Sequence, residues 1–169
     1  MHSTLRIAAL VAAVVPLFAH AQAQPVYGCD TPESKRFDFW VGDWELEFAG
    51  GKGRNRIEKT LDGCVIVEHF RGAPGTKLDG TSVSTYDRAA KRWKQTWVDN
   101  TGSYLDFTGG EDGGDPTFER AYEKDGKTIR LRMVFREVKK DSLKWLWQRS
   151  DDAGKSWKTT WEIDYRRAR

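Results

Sequence analysis

From Trp44 onward the chain alternates. Trp44, Leu46 and Phe48 are separated by Glu45 and Glu47, the two-residue period of a strand with one buried face. The same period recurs later. Trp93 and Trp97 stand against Lys94 and Thr96, Trp145 and Trp147 against Lys144 and Gln148, and Ile129, Leu131 and Met133 against Arg130 and Arg132. Trp157 and Trp161 are expected on one inward face, opposite Lys158, Thr160 and Glu162. After the first strand, others are expected at 54–61, 64–71, 81–86, 91–99, 103–108, 117–123, 128–138, 142–149 and 157–166. Turns are expected at Gly50-Gly51-Lys52-Gly53, Asp62-Gly63, Asp79-Gly80, Asn100-Thr101-Gly102, Asp125-Gly126 and Lys139-Lys140-Asp141. Asp-Gly is a strong hairpin signal, because both central residues of the tight turn take positive φ. Strands this closely spaced leave no room for crossover helices, so the sheet is expected to be antiparallel and mostly up-and-down. With one apolar face and no helix layer it must fold on itself. The weight of the inward aromatic set favours an all-β closed barrel of eight to ten strands over a sandwich.

Two earlier segments break the alternation. Asp30-Thr31-Pro32-Glu33 carries the marks of a helix start: Thr31 to cap, Pro32 for the first turn, Glu33 at the positive end. A short helix over Thr31–Trp40 places Phe37 and Trp40 on one face, near one barrel opening, with Gly42 ending it. Before it, Arg6 precedes an apolar run from Ile7 to Phe18, too short to span a bilayer, and Ala19, Ala21 and Ala23 offer two Ala-x-Ala cleavage sites. Residues 1–23 are therefore expected to be a signal peptide, and residues 24–169 a single β-barrel domain free in the periplasm or secreted. Lipidation at Cys29 is disfavoured by the bulky Tyr27 before it.

Charge narrows the partners. The net charge is +3 over 169 residues and +2 once Arg6 is removed, too weak a field to point to nucleic acid. Eight tryptophans argue against disorder. Cys29 and Cys64 are the only cysteines, and in an exported chain they are expected to form a disulfide. His69 is the only histidine beyond the signal, read as an outer-face strand residue, which removes most metal-site grammars and most nucleophile–base pairs; a Ser-His-Asp site on it would lack a Gly-x-Ser-x-Gly elbow. No metal, no cofactor and no catalytic residue is assigned. Gly109 to Pro116 is rich in Gly and Asp but lacks calcium-ligand spacing, and is read as a hairpin loop. Ser150-x-Asp152-x-Gly154-x-Ser156-Trp157 matches the Asp-box of sialidase-like propellers once, and one copy is read as a turn clamp.

Phe37-Asp38-Phe39-Trp40-Val41-Gly42-Asp43-Trp44 resembles the opening of a family of exported bacterial proteins of unknown function. Further similar pieces are Gly63-Cys64 with Glu68, Ser84-x-Tyr86-Asp87, Trp93-x-Gln95-x-Trp97-Val98-Asp99, and Ser150 to Trp157 ahead of Tyr165-Arg166. That resemblance implies a lipocalin-like (calycin) barrel in which Gly42-x-Trp44 packs against Arg166 or Arg167. It implies no activity. A haem-binding relative of this barrel class uses a histidine ligand, for which His69 has no matching motif.

A barrel of this size has an interior wide enough for side chains or for one ligand. The candidate ligand-binding residues are Glu68, Trp93, Gln95, Trp97, Arg120, Trp145, Trp147 and Arg149, each with aromatic or apolar neighbours two residues away. Arg and Gln within such a wall need partners: Glu68, Asp99, or an acidic or carbonyl-bearing hydrophobic ligand. The first reading is thus a protein that binds a small hydrophobic ligand inside the barrel. The alternatives are an isomerase or hydrolase using Glu68 as acid or base, and an envelope protein whose interior is filled, with Glu68 paired to an arginine. The oligomeric state is not legible.

Overall fold

A computed structural model describes residues 28–110 and 113–169. The expected signal peptide and residues 111 and 112 of the Gly/Asp-rich loop lie outside the described residues. The helical segment is two successive 3₁₀ turns, Glu33–Lys35 and Asp38–Trp40. The strands follow as β1 (Gly42–Phe48), β2 (Gly51–Thr60), β3 (Val65–Arg71), β4 (Asp79–Asp87) and β5 (Arg92–Asp99). The second half adds β6 (Tyr104–Gly109), β7 (Thr117–Lys124), β8 (Lys127–Arg136), β9 (Ser142–Ser150) and β10 (Lys158–Arg167).

All ten strands pair antiparallel with their chain neighbours, and β1 pairs with β10 to close the barrel. Closure runs from Trp44 opposite Arg167 to Phe48 opposite Ile163. Lipocalins reach closure with eight strands. The Arg167 guanidinium lies 4.1 Å from the Trp44 ring centroid and donates from Nη1 to the Val41 carbonyl at 2.9 Å. Of the two arginines that the resemblance offered, Arg167 makes the contact. Gly42 is required beneath it: its φ is +133°, and a Cβ would come within 2.1 Å of the Arg167 Nη1.

The disulfide joins Cys29 to Cys64 with a Cα separation of 4.9 Å and ties the 3₁₀ segment to the β2–β3 turn. The Asp-box segment is a turn clamp. Gly154 N–H donates to Ser150 Oγ at 2.8 Å, and Ser156 donates to Asp152 through its amide at 2.9 Å and its hydroxyl at 2.6 Å. Asp125 and Gly126, with φ of +50° and +70°, make the expected tight turn between β7 and β8.

Three local expectations need correction. Asp79-Gly80 is not a turn but the start of β4, paired with Arg71 and Phe70 of β3. Its glycine serves the neighbouring strand: a Cβ on Gly80 would lie 2.1 Å from the Trp97 ring. Gly51 to Gly53 likewise belong to β2, opposite Phe48 to Leu46. Trp157 does not share the face of Trp161, because the β9–β10 register shifts between Thr159 and Trp161. Trp157 sits instead under the outward Arg132 guanidinium, 3.9 Å from its ring centroid.

Candidate ligand cavity

One end of the barrel is packed solid by the segment that precedes β1. Phe37 is fully buried and stacks on Phe118 with centroids 4.4 Å apart, while its ring meets Trp93 edge-on at 5.0 Å. Trp40 packs edge-on against Phe135 at 5.2 Å. The indoles also find acceptors: Trp93 Nε1 donates to the Glu33 carbonyl at 2.8 Å and Trp44 Nε1 to the Trp40 carbonyl at 2.7 Å. An aromatic plug therefore fills this end, with the Trp93 and Trp44 indoles satisfied and the buried Trp40 Nε1 left without a hydrogen-bond partner among the described residues.

Beyond the plug lies a polar layer centred on Glu68, which is buried. Alternation along β3 puts it between Ile66 and Phe70 on the inner face, opposite Ile57 and Ser82. Its Oε1 accepts from Asn55 Nδ2 and its Oε2 from Ser82 Oγ, each at 2.6 Å. Asn55 Nδ2 also donates to the Tyr165 hydroxyl at 3.1 Å. The donors are neutral, so burial wins: it pushes the Glu68 carboxyl up to about 7, against the pull of the Ser82 and Asn55 hydrogen bonds. Burial and the adjacent Glu68 carboxylate also raise the Tyr165 phenol. Among the described residues Glu68 lacks the arginine partner expected of a filled interior; Asn55 and Ser82 stand in its place.

Above that layer the barrel encloses a cavity of about 250 Å³. Glu68, Tyr165, Met133 and Ile163 are at its base, and Trp97, Trp145, Trp147, Trp161, Phe70 and Phe107 form most of its wall. The rings brace one another. Trp145 and Trp147 stack at 6.1 Å and Trp161 meets Trp145 edge-on at 5.8 Å. Phe70 bridges Trp161 and Trp97 at 6.0 Å each, and Phe107 meets Trp147 at 5.8 Å. Trp97, Trp145, Trp147 and Trp161 are only half-buried, so this end faces solvent.

A second carboxyl stands in the wall. Asp99 Oδ2 accepts from Trp97 Nε1 at 2.9 Å, while its Oδ1 takes the Thr101 hydroxyl at 2.6 Å and the Thr101 amide at 2.9 Å. Partial burial pushes this carboxyl up, but the donors from Thr101, Trp97 and Ser103 outweigh it and hold Asp99 well below the usual carboxylate range. The cavity therefore carries one ionised acid and one poised near neutrality.

Of the eight residues expected to bind a ligand, Glu68, Trp97, Trp145 and Trp147 line the cavity. Trp93 belongs to the plug. Gln95 is buried off the cavity and donates to Ser84 Oγ at 3.0 Å. Neither Arg120 nor Arg149 lines the cavity, and at Arg120 β7 parts from β6. The β6–β7 pairing holds only Thr108–Glu119 and Gly109–Phe118 among the described residues. Arg120 turns there onto the rings of Phe107 and Tyr122 and toward Asp106, 3.8 Å away. Arg149 is held by Asp151 at 2.6 Å and by the Tyr122 hydroxyl at 3.3 Å.

Sequence reasoning missed Asn55 and Ser82 as the partners of Glu68, and Tyr165 as the further partner of Asn55. The signal for Asn55 was present, since it shares a face with Ile57, but pairing across three other strands was not legible. His69 is exposed on the outer face, and among the described residues no group of three or more His, Cys, Asp or Glu is placed to hold a metal ion.

Fold and cavity together define a class: a closed up-and-down antiparallel barrel, plugged by its own N-terminal segment at one end and hollow at the other. The chain belongs to the family described as "Protein of unknown function (DUF1579)", which matches residues 31–167. No curated protein matches it.

Proposed function

We propose that this is an exported binding protein that holds one small, mostly apolar ligand in the open half of its barrel. The observation that carries the reading is the cavity of about 250 Å³, walled by indole and phenyl rings over a buried carboxyl. Small-molecule pockets begin near about 300 Å³, so the ligand is of fragment size. Its apolar part meets the rings and its polar group meets Glu68 or Asp99. Export is supported by the signal-like residues 1–23 and by the disulfide, which suits an oxidising compartment. No helix among the described residues is long and apolar enough to cross a membrane.

The test uses toluene as a generic apolar probe, with intrinsic tryptophan fluorescence as the readout. Saturable binding to the wild type is expected, with its loss in Leu105→Trp, which places an indole into the cavity from β6. Circular dichroism checks that the variant is folded. No saturable change, or an equal change in folded Leu105→Trp, contradicts the reading.

A second reading, an acid–base enzyme, rests on the Glu68 carboxyl held near neutrality inside the cavity. Both Glu68 oxygens already accept a neutral donor, from Asn55 and Ser82. Glu68→Gln separates the two readings: a binding protein keeps its affinity for toluene, whereas an enzyme loses turnover of whatever native compound it holds.

A further inference from the structure

The chemistry of the wall says more than its size. Among the described residues its ionisable groups are two carboxyls, Glu68 and Asp99, with the Tyr165 phenol, and no lysine, arginine or histidine lines it. Of the arginines expected there, Arg149 is engaged with Asp151, while Arg120 lies over the Phe107 and Tyr122 rings, 3.8 Å from Asp106, with its Nε unpartnered among the described residues; neither lines the cavity. Around the carboxyls stand the rings of Trp97, Trp145, Trp147, Trp161, Phe70 and Phe107. An indole face carries negative quadrupole density and attracts cations more strongly than a phenyl face does. An anionic headgroup meets two carboxyls here and no lining cation among the described residues. A cation meets several aromatic rings and two acids.

We infer that the cavity takes an organic cation, a substituted ammonium bearing a small apolar group. The inference rests on the reading of the cavity as a ligand site and narrows it. Desolvation favours the same choice. A substituted ammonium carries its charge on a diffuse, weakly hydrated group, so it leaves water at less cost than a primary ammonium and recovers the loss against the rings. Glu68 is the acid that has no cationic partner among the described residues, since its donors are the Asn55 amide and the Ser82 hydroxyl. The bound ammonium supplies the missing charge. Asp99, tied to the Trp97 indole N–H, fixes one ring of the cage in place.

The experiment compares benzyltrimethylammonium with neopentylbenzene, its uncharged isostere, in parallel titrations of the intact protein, with toluene as the reference probe. The cation is expected to bind at least tenfold more tightly than the isostere at low ionic strength. Glu68→Gln is expected to reduce that preference severalfold, with circular dichroism checking that the variant is folded. If the isostere binds as tightly as the cation or more tightly, the organic-cation inference is overturned and the apolar binding site stands. If benzoate or another aromatic carboxylate binds more tightly than either, the inference is likewise overturned. If neither member of the pair nor toluene binds, the ligand-binding reading fails and the inference falls with it.

Discussion

The two ends of this barrel are built from the same material and do different things. Both are aromatic, and both take their rings from the inward face of alternating strands. At one end Phe37 and Trp40 arrive from outside the sheet and occupy the interior against Phe118, Trp93 and Phe135. At the other end no segment among the described residues enters, and Trp97, Trp145, Trp147 and Trp161 brace one another around a space. The number of rings does not decide whether a barrel is filled. A plug delivered by a short flanking segment does, and the disulfide to Cys64 holds that segment in position.

The largest contrast is expected in stability. Phe37→Ala removes a fully buried ring from a close-packed site and should cost about 3–5 kcal/mol in urea unfolding. Trp145→Ala, at a half-buried ring beside existing space, should cost less than half as much. Equal losses would mean that the two ends are packed alike. Replacing Cys29 and Cys64 together by Ser should cost about 4 kcal/mol on the chain-entropy model for a loop of separation 35. The loss is expected to appear as early exchange of the amides around Phe37 and not of those lining the cavity.

Glu68 gives the boundary between the two halves a pH signature. Its folded value is raised to about 7 from an ordinary 4.5, so the folded chain binds this proton more tightly than the unfolded one. Stability from this group is complete below about pH 4.5 and is lost as pH rises through about 7. The total is about 3 kcal/mol, set by the size of the shift. Glu68→Gln should flatten this slope, as measured by denaturant midpoints across that range. A wild-type slope of the opposite sign would mean that a cation already compensates the carboxylate. The smallest effect is expected for Arg149→Met. The guanidinium serves Asp151 and Tyr122 outside the wall, so toluene affinity should not change and stability should fall by less than about 1 kcal/mol.

Strand number, antiparallel order, the disulfide and the burial of Phe37 and Trp40 were all legible, because period-two alternation and turn residues are local signals. The errors came where a non-local contact reassigned a local one. Gly80 reads as a turn glycine until the Trp97 ring above it supplies another reason for a missing side chain. Trp157 reads as inward until the register shift in β10 carries it to Arg132. For the cavity, alternation identified the inward faces, but it did not show that β7 parts from β6 at Arg120, which does not line the cavity. It also did not show which inward residues the plug consumes. Trp93 and Trp97 lie on one face of one strand, yet one packs against Phe37 and the other lines the cavity.

That division makes the central claim measurable residue by residue. The indole N–H resonances of an ¹⁵N-labelled sample report on each tryptophan separately. On titration with toluene, the signals of Trp97, Trp145, Trp147 and Trp161 are expected to shift together along one saturable curve, while those of Trp40, Trp44 and Trp93 stay in place. Shifts that reach the plug tryptophans as strongly as the wall, or no saturable shift in any of the four, would contradict a barrel that is filled at one end and open to a ligand at the other.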